Sequence, residues 1–226
     1  MEYKNIYKAR FLSRPNRFIA YVELAGKQQQ VHVKNTGRCR ELLTAGAEVY
    51  LEKAENPERK TKYDLVAVRK GSRLVNMDSG APNKAVKEWL EKGGLFQNIQ
   101  LVRPETVYGG SRFDFYAETE EEKIFIEVKG VTLEHDGVVS FPDAPSERAV
   151  KHVRELMRAV TEGYRAYVLF VIQMTDVSYF MPNEETHPAF GQVLREAAEN
   201  GVCIKAYDCK VWEKGMAICS PVEVRL

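Results

Sequence analysis

The sequence predicts two domains, an all-β barrel over residues 1–80 followed by an α/β domain over residues 81–226. Three observations carry that prediction. The first eighty residues hold several short alternating segments, rich in β-branched and aromatic side chains, with almost no helical pattern. The breaker cluster Ser79-Gly80-Ala81-Pro82-Asn83 then interrupts the chain, and beyond it strand-like and helix-like segments are mixed. Charge divides at the same place: residues 1–80 carry 16 Lys and Arg against 9 Asp and Glu, whereas residues 81–226 carry 17 against 23. A basic part beside an acidic part points to one surface that attracts a polyanion and another that gathers carboxylates.

In the first part, strands are expected at Ile6–Leu12, Phe18–Leu24, Gln29–Val33, Glu48–Lys53, Asp64–Lys70 and Leu74–Asn76. Arg14-Pro15-Asn16 and Ala25-Gly26-Lys27 supply turns, and Arg40–Leu43 reads as a single helical turn. A five-stranded OB-type barrel is the economical arrangement of such strands. Tyr3, Tyr7, Phe11, Phe18 and Tyr21 interleave with Arg10, Arg14 and Arg17, which fits either stacking of bases beside a positive groove or the barrel core; for Phe11, Phe18 and Tyr21 the core is the favoured reading.

The second part opens with a helix that Asn83 would cap, running to Lys92, with Val86, Trp89 and Leu90 on one face and Gly93-Gly94 as its stop. Strands follow near Ile99–Val102, Arg112–Glu118, Lys123–Lys129 and Val138–Phe141. A helix over Ser146–Thr161, a buried strand over Ala166–Gln173, a helix over Ala189–Asn200 and a strand over Cys203–Tyr207 complete the reading.

With 44% hydrophobic and 29% charged residues, the composition is that of a globular chain rather than a disordered one. The longest apolar stretch, Tyr167–Ile172, is far too short to span a bilayer, and the N-terminal MEYKNIYKARF has no apolar core of a secretory signal. A cytoplasmic protein without a membrane partner is expected. Cys39, Cys203, Cys209 and Cys219 lack zinc-site spacing and read as reduced thiols.

The chemistry concentrates in SRFDFYAETEEEKIFIEVKG, residues 111–130. If the loop 119–122 closes a hairpin with Glu118 opposite Lys123, Asp114 falls opposite Glu127 on one face of the sheet. Lys129, two residues past Glu127, leaves from that face, while Ile126 and Val128 point into a core. Two facing carboxylates repel, and a divalent cation between them reverses the sign of that interaction. Hard carboxylate oxygens suit Mg²⁺ or Mn²⁺, leaving positions for water and phosphate, and a lysine beside them can orient the water or neutralise developing charge. Without a metal, the same pattern describes an exposed hairpin with a Glu–Lys pair.

Two further stretches fit a nucleic-acid surface. The helix over 146–161 carries Arg148, Lys151, Arg154 and Arg158 mainly on one side, with His152 near the boundary. The segment from His32 to Arg40 packs Lys34, Asn35, Thr36, Arg38 and Arg40 around Gly37, and glycine permits close approach of backbone to phosphate. DNA contacts are therefore expected from Lys34, Asn35, Thr36, Arg38, Arg40, Arg148, Lys151 and His152.

The stretches RPNRFIAYVEL, HVKNTGRCRELL, SRFDFYA, IFIEVKGVTL and FPDAPSERAVKHVREL, in this order, resemble the sugar fermentation stimulation protein family, SfsA. The resemblance implies an N-terminal OB-fold domain, a C-terminal PD-(D/E)XK restriction-endonuclease-like domain, and DNA binding. It also implies that Asp114 is the metal-binding aspartate and that Glu127 and Lys129 form the (D/E)-x-K pair, although Phe113 stands where the motif name has proline. In such sites an acid on the preceding helix often completes the set; Glu88 is the candidate, with Glu91 the alternative. Two functions follow as expectations: a metal-dependent nuclease, or a non-catalytic, largely sequence-independent DNA-binding regulator linked to maltose metabolism. Fold alone does not choose between them.

Overall fold

The computed structural model describes residues 1–226. Six strands form the first sheet: β1 (Ile6–Ser13), β2 (Ile19–Leu24), β3 (Lys27–Val33), β4 (Glu48–Lys53), β5 (Tyr63–Lys70) and β6 (Arg73–Asn76). Their order is β3-β2-β1-β4-β5-β6, and β3 also pairs with β5 through His32↔Asp64 and Val33↔Leu65. That parallel pairing closes β1–β5 into a barrel, which removes the sheet edges, and β6 is appended as a hairpin. Inward positions alternate along the strands, with Ala20, Val22, Val31, Val33, Val49 and Leu51 almost wholly buried. Phe11 joins them, but the expectation for Phe18 and Tyr21 is overturned: Phe18 is 55% exposed, because β2 begins one residue later and Phe18 belongs to the turn, and Tyr21 is only half-buried, because it alternates with the inward Ala20 and Val22.

The second domain contains α1 (Ala81–Glu91), β7 (Leu101–Tyr108), β8 (Ser111–Glu118), β9 (Lys123–Val131), β10 (Leu133–His135) and β11 (Val138–Phe141). It continues with α2 (Glu147–Thr161), β12 (Arg165–Ile172), β13 (Tyr179–Pro182), α3 (Pro188–Glu199), β14 (Cys203–Trp212) and β15 (Gly215–Val224). The nine strands run in the order β10-β11-β13-β15-β14-β12-β9-β8-β7. At the centre, β9, β12 and β14 are parallel. Such strands are covered on both faces, which explains the unbroken apolar run in β12. Leu169 and Val171 pack with Val86 and Leu90 of α1, whereas Val168 and Phe170 pack in the core that holds Val153 and Leu156 of α2 and Leu194 of α3.

Several elements differ from the sequence reading. Gly80, not Asn83, precedes α1, with Pro82 in the first turn; proline's fixed φ suits that position and frees the Asn83 side chain for another partner. Strand β7 continues through Pro104, which the sheet tolerates because β7 is an edge strand. The hairpin β14–β15 and the short β13 were not foreseen: their exposed residues and Pro221 mask the alternation, and β15 gains its neighbours from distant chain segments.

A polar seam joins the two domains. Gln173, just past β12, donates its amide to the Asn76 carbonyl and side chain and to the Asp78 carbonyl, at 3.1, 2.9 and 3.1 Å. Asp78, 1% exposed, receives Lys34 at 2.6 Å. Farther along the seam, Lys70 and Arg73 both bond the buried Glu134 of β10, at 2.6 and 2.7 Å. Burial alone would raise the Glu134 carboxyl; Lys70, the Gly137 N–H and Arg73 overcome it and hold the group at about 2. A depressed carboxyl contributes stability above its unfolded value that is lost as pH falls through the folded one. Urea midpoints of wild type and Glu134→Gln should therefore differ by a constant amount above pH 4.5 and converge as pH falls towards 2. A pH-independent gap would contradict the role given to the pair.

Candidate metal centre and nucleic-acid interface

Strands β8 and β9 hold the predicted register from Glu118↔Lys123 to Phe115↔Ile126, and there the ladder ends. Asp114, the next residue, turns its carboxylate into the gap. Oδ2 accepts the Val128 N–H at 2.8 Å, and Oδ1 accepts the Asn83 amide at 2.7 Å. The expected flat pair of facing carboxylates is thus modified: a backbone N–H that would otherwise lack a partner captures one of them.

Glu127 is 3% exposed. Its Oε1 accepts from Lys129 Nζ at 2.6 Å and from His152 Nδ1 at 2.5 Å. Arg148 Nε donates to His152 Nε2 at 3.4 Å. Arginine has only donors, so Nε2 accepts and the ring proton on Nδ1 points at Glu127. His152 lies one turn beyond Arg148 on α2, and Ser146 starts that helix by accepting the Ala149 N–H. The other oxygen of Glu127, Oε2, is buried with no hydrogen-bond partner. Burial, then the Glu127 charge, push the Asp114 carboxyl above its ordinary value. Burial opposes ionisation of Glu127 too, but the His152 hydrogen bond and the Lys129 charge prevail and hold it below.

These residues fit a divalent cation. A buried carboxylate oxygen without a partner is costly, and the Asp114 oxygens keep unused lone pairs. Both are hard donors of the kind Mg²⁺ and Mn²⁺ take. No set of three His, Cys, Asp or Glu side chains converges into a complete cage. Mg²⁺ usually keeps several waters and needs only one or two carboxylates.

Asp114, Glu127 and Lys129 are brought together; Glu88 is not. Glu88 is half-exposed and bonds the Met1 amino group at 2.7 Å. A helix turns 100° per residue, which carries position 88 away from the face of Asn83 that meets Asp114. Glu91 pairs with Lys87 instead. His152 is also corrected as a DNA contact: at 5% exposure it serves the carboxylate. Asn83 was missed, because only the docking of α1 on the sheet sets it beside Asp114.

The segment from Lys34 to Arg40 divides. Lys34 is engaged with Asp78, and the Asn35 side chain accepts the Gly37 N–H at 2.7 Å. Gly37 makes its close approach to Asp143, whose carboxylate also takes the Arg38 N–H at 2.9 Å. Thr36, Arg38 and Arg40 are exposed. Along α2, a cleft of about 690 Å³ is lined by Arg112, Arg148, Lys151 and Arg154, with Glu147 and Glu155 also at its wall. Lys151 touches the Gly110 carbonyl at 2.7 Å. Arg38, Arg40, Arg148, Lys151 and Arg154 form no ion pair with any carboxylate, which leaves their charge available to an anion.

Fold and site define a class of protein, an OB barrel joined to an α/β domain whose central sheet carries a buried centre of two carboxylates and a lysine. The family model described as the SfsA N-terminal OB domain matches residues 12–77, and the one described as the sugar fermentation stimulation protein RE domain matches residues 80–215. The chain belongs to the sugar fermentation stimulation protein family. It is 58% identical over 226 residues to a sugar fermentation stimulation protein homolog of Ruminiclostridium cellulolyticum and 57% identical to that of Clostridium beijerinckii, covering 100% of each. The structure of Pyrococcus furiosus SfsA in complex with Ca²⁺ superposes with a TM-score of 0.91 at 28% identity, over 100% of this chain and 98% of that one. No helix is long and apolar enough to cross a membrane.

Because Asp114 is buried beside another carboxylate, removing its charge should relieve strain. Asp114→Asn keeps an acceptor for Val128 and is expected to raise Tm, by roughly 2–4 °C for each kcal/mol of relief. Scanning calorimetry checks this; a lowered Tm would refute the repulsion argued above.

Proposed function

We propose that this protein binds DNA through cationic residues of its barrel loop and of α2 and hydrolyses a phosphodiester with the help of Mg²⁺ or Mn²⁺. The observation that carries the reading is the unpartnered, buried Oε2 of Glu127 beside Asp114, with Lys129 at 2.6 Å from the same carboxylate. That P. furiosus SfsA forms a complex with Ca²⁺ supports a divalent cation here. When bound, such an ion polarises a phosphoryl oxygen and acidifies a coordinated water.

The residues of the chain supply the rest. Asp114 and Glu127 hold the ion. His152, fixed by Arg148, orients Glu127 so that Oε1 is occupied and Oε2 is left for the metal. Lys129 stands where it neutralises charge developing on the phosphate or orients the attacking water. Arg38 and Arg40 on the barrel, with Arg148, Lys151 and Arg154 on α2, anchor backbone phosphates on the two sides. Since none of these contacts reads a base edge, binding is largely sequence-independent.

Labelled single- and double-stranded DNA, incubated with Mg²⁺ or Mn²⁺, provides the test. Wild type is expected to cut, while Asp114→Ala and Lys129→Ala bind but lose about a hundredfold or more in rate. Wild type that binds DNA and never cuts would remove the catalytic half and leave a regulator built on a nuclease scaffold. In binding assays on duplex, Lys151→Ala should lower the slope of log affinity against log salt by about 0.9, the change for one phosphate contact. An unchanged slope would take Lys151 out of the interface.

A further inference from the structure

We infer that Phe18 is a base-stacking platform that seats a single strand of DNA on the rim of the barrel and leads it towards Asp114. This deepens the proposed function and rests on it. Phe18 is the one exposed phenylalanine of ten, at 55%. Tyr7, the next most exposed aromatic, packs edge-on against Tyr63 at 5.6 Å, whereas Phe18 has no aromatic partner.

The backbone that carries the exposed ring is held in place. Asn16 Oδ1 accepts the N–H groups of Phe18 and Ile19 at 2.9 and 3.0 Å, and the Phe18 carbonyl accepts the Val33 N–H at 2.8 Å. The Arg14 guanidinium then clamps this turn to the neighbouring loop. It donates to the carbonyls of Arg17, Asn35, Gly37 and Arg38 at 2.8, 2.7, 3.0 and 2.8 Å. A backbone already fixed at this point reduces the ordering that a ligand must impose.

The surroundings select the ligand. Phe18 shares a cleft of about 340 Å³ with His32, Lys34, Thr36, Ser79 and Lys84. Lys84 and the adjacent Arg17 are exposed and form no ion pair, and the one acid in the cleft, Asp78, is buried and already paired with Lys34. A lone apolar ring within a polar, cationic rim matches a nucleotide, which has one flat apolar face and one anionic phosphate. It does not match a protein partner, which needs a contiguous apolar patch. Only an unpaired strand offers a base face to such a ring; in a duplex those faces are covered by neighbouring pairs. The cleft borders the first turn of α1, the helix that also reaches Asp114. Lys84 follows Asn83, whose amide holds Asp114 at 2.7 Å.

The test measures binding by fluorescence anisotropy in EDTA, with no cleavage, for an oligo-dT strand, an abasic strand of equal length and a duplex. Stacking on an aromatic contributes about 1–3 kcal/mol per base, so Phe18→Ala should weaken dT binding by roughly 5- to 150-fold. Affinity for the abasic strand and the duplex should not change. Phe18→Trp should restore dT binding, and its added emission should be quenched by dT and not by the abasic strand. If wild type binds DNA but Phe18→Ala binds dT within about twofold of it, the platform is refuted and the proposed function stands. If wild type binds none of the three probes, both fall.

Discussion

A carboxylate that is buried and still ionised constrains much of the second domain. Glu127 loses water on every side, and a charge so placed persists only with partners. Lys129 comes from its own strand, but His152 comes from α2 and must be aimed by Arg148 one turn earlier. Asp114 adds a second negative charge, which Val128 and Asn83 moderate from β9 and α1. Helices on opposite faces of one sheet therefore converge on the point where β8 and β9 part. The arrangement stores repulsion, as sites adapted to a ligand commonly do.

The barrel is tied to this centre by hydrogen bonds as well as apolar packing. Gln173 ends the strand beside β9 and satisfies three carbonyl or amide oxygens of the interdomain segment, and Asp78 in that segment holds Lys34. Through Lys34 and the Arg14 clamp, the turn of Phe18 and the loop of Arg38 keep a definite position relative to Asp114. The uneven charge of the two halves acquires a geometry in this way: cations without a carboxylate partner lie on the barrel loop and on α2, apart from the buried carboxylate centre.

Much of this was legible before folding. The four-residue loop between Glu118 and Lys123 set the hairpin register, and the period-2 alternation put Glu127 and Lys129 on one side and Ile126 and Val128 on the other. The periodicity of α2 separated Val153 and Leu156 from Arg148 and Lys151. Less legible were features that depend on docking. Glu88 looked equivalent to any acid on the first helix, yet the rotation of α1 gives Asp114 an asparagine five residues earlier. Phe18 resembled a core aromatic, because a strand pattern does not reveal that the strand starts one residue later.

The sequence by itself determined the division into an all-β and an α/β part, the order of most elements, and the local grouping of Asp114, Glu127 and Lys129, since turns and alternation act over a few residues. Only the tertiary structure decided that Asp114 turns into the gap at Val128, that Asn83 and His152 are its and Glu127's partners, and that Phe18 faces solvent. Those outcomes depend on the rotation of two helices about the sheet and on the closure of β3 against β5. Both are set by packing between residues far apart in the chain, for which no local pattern exists.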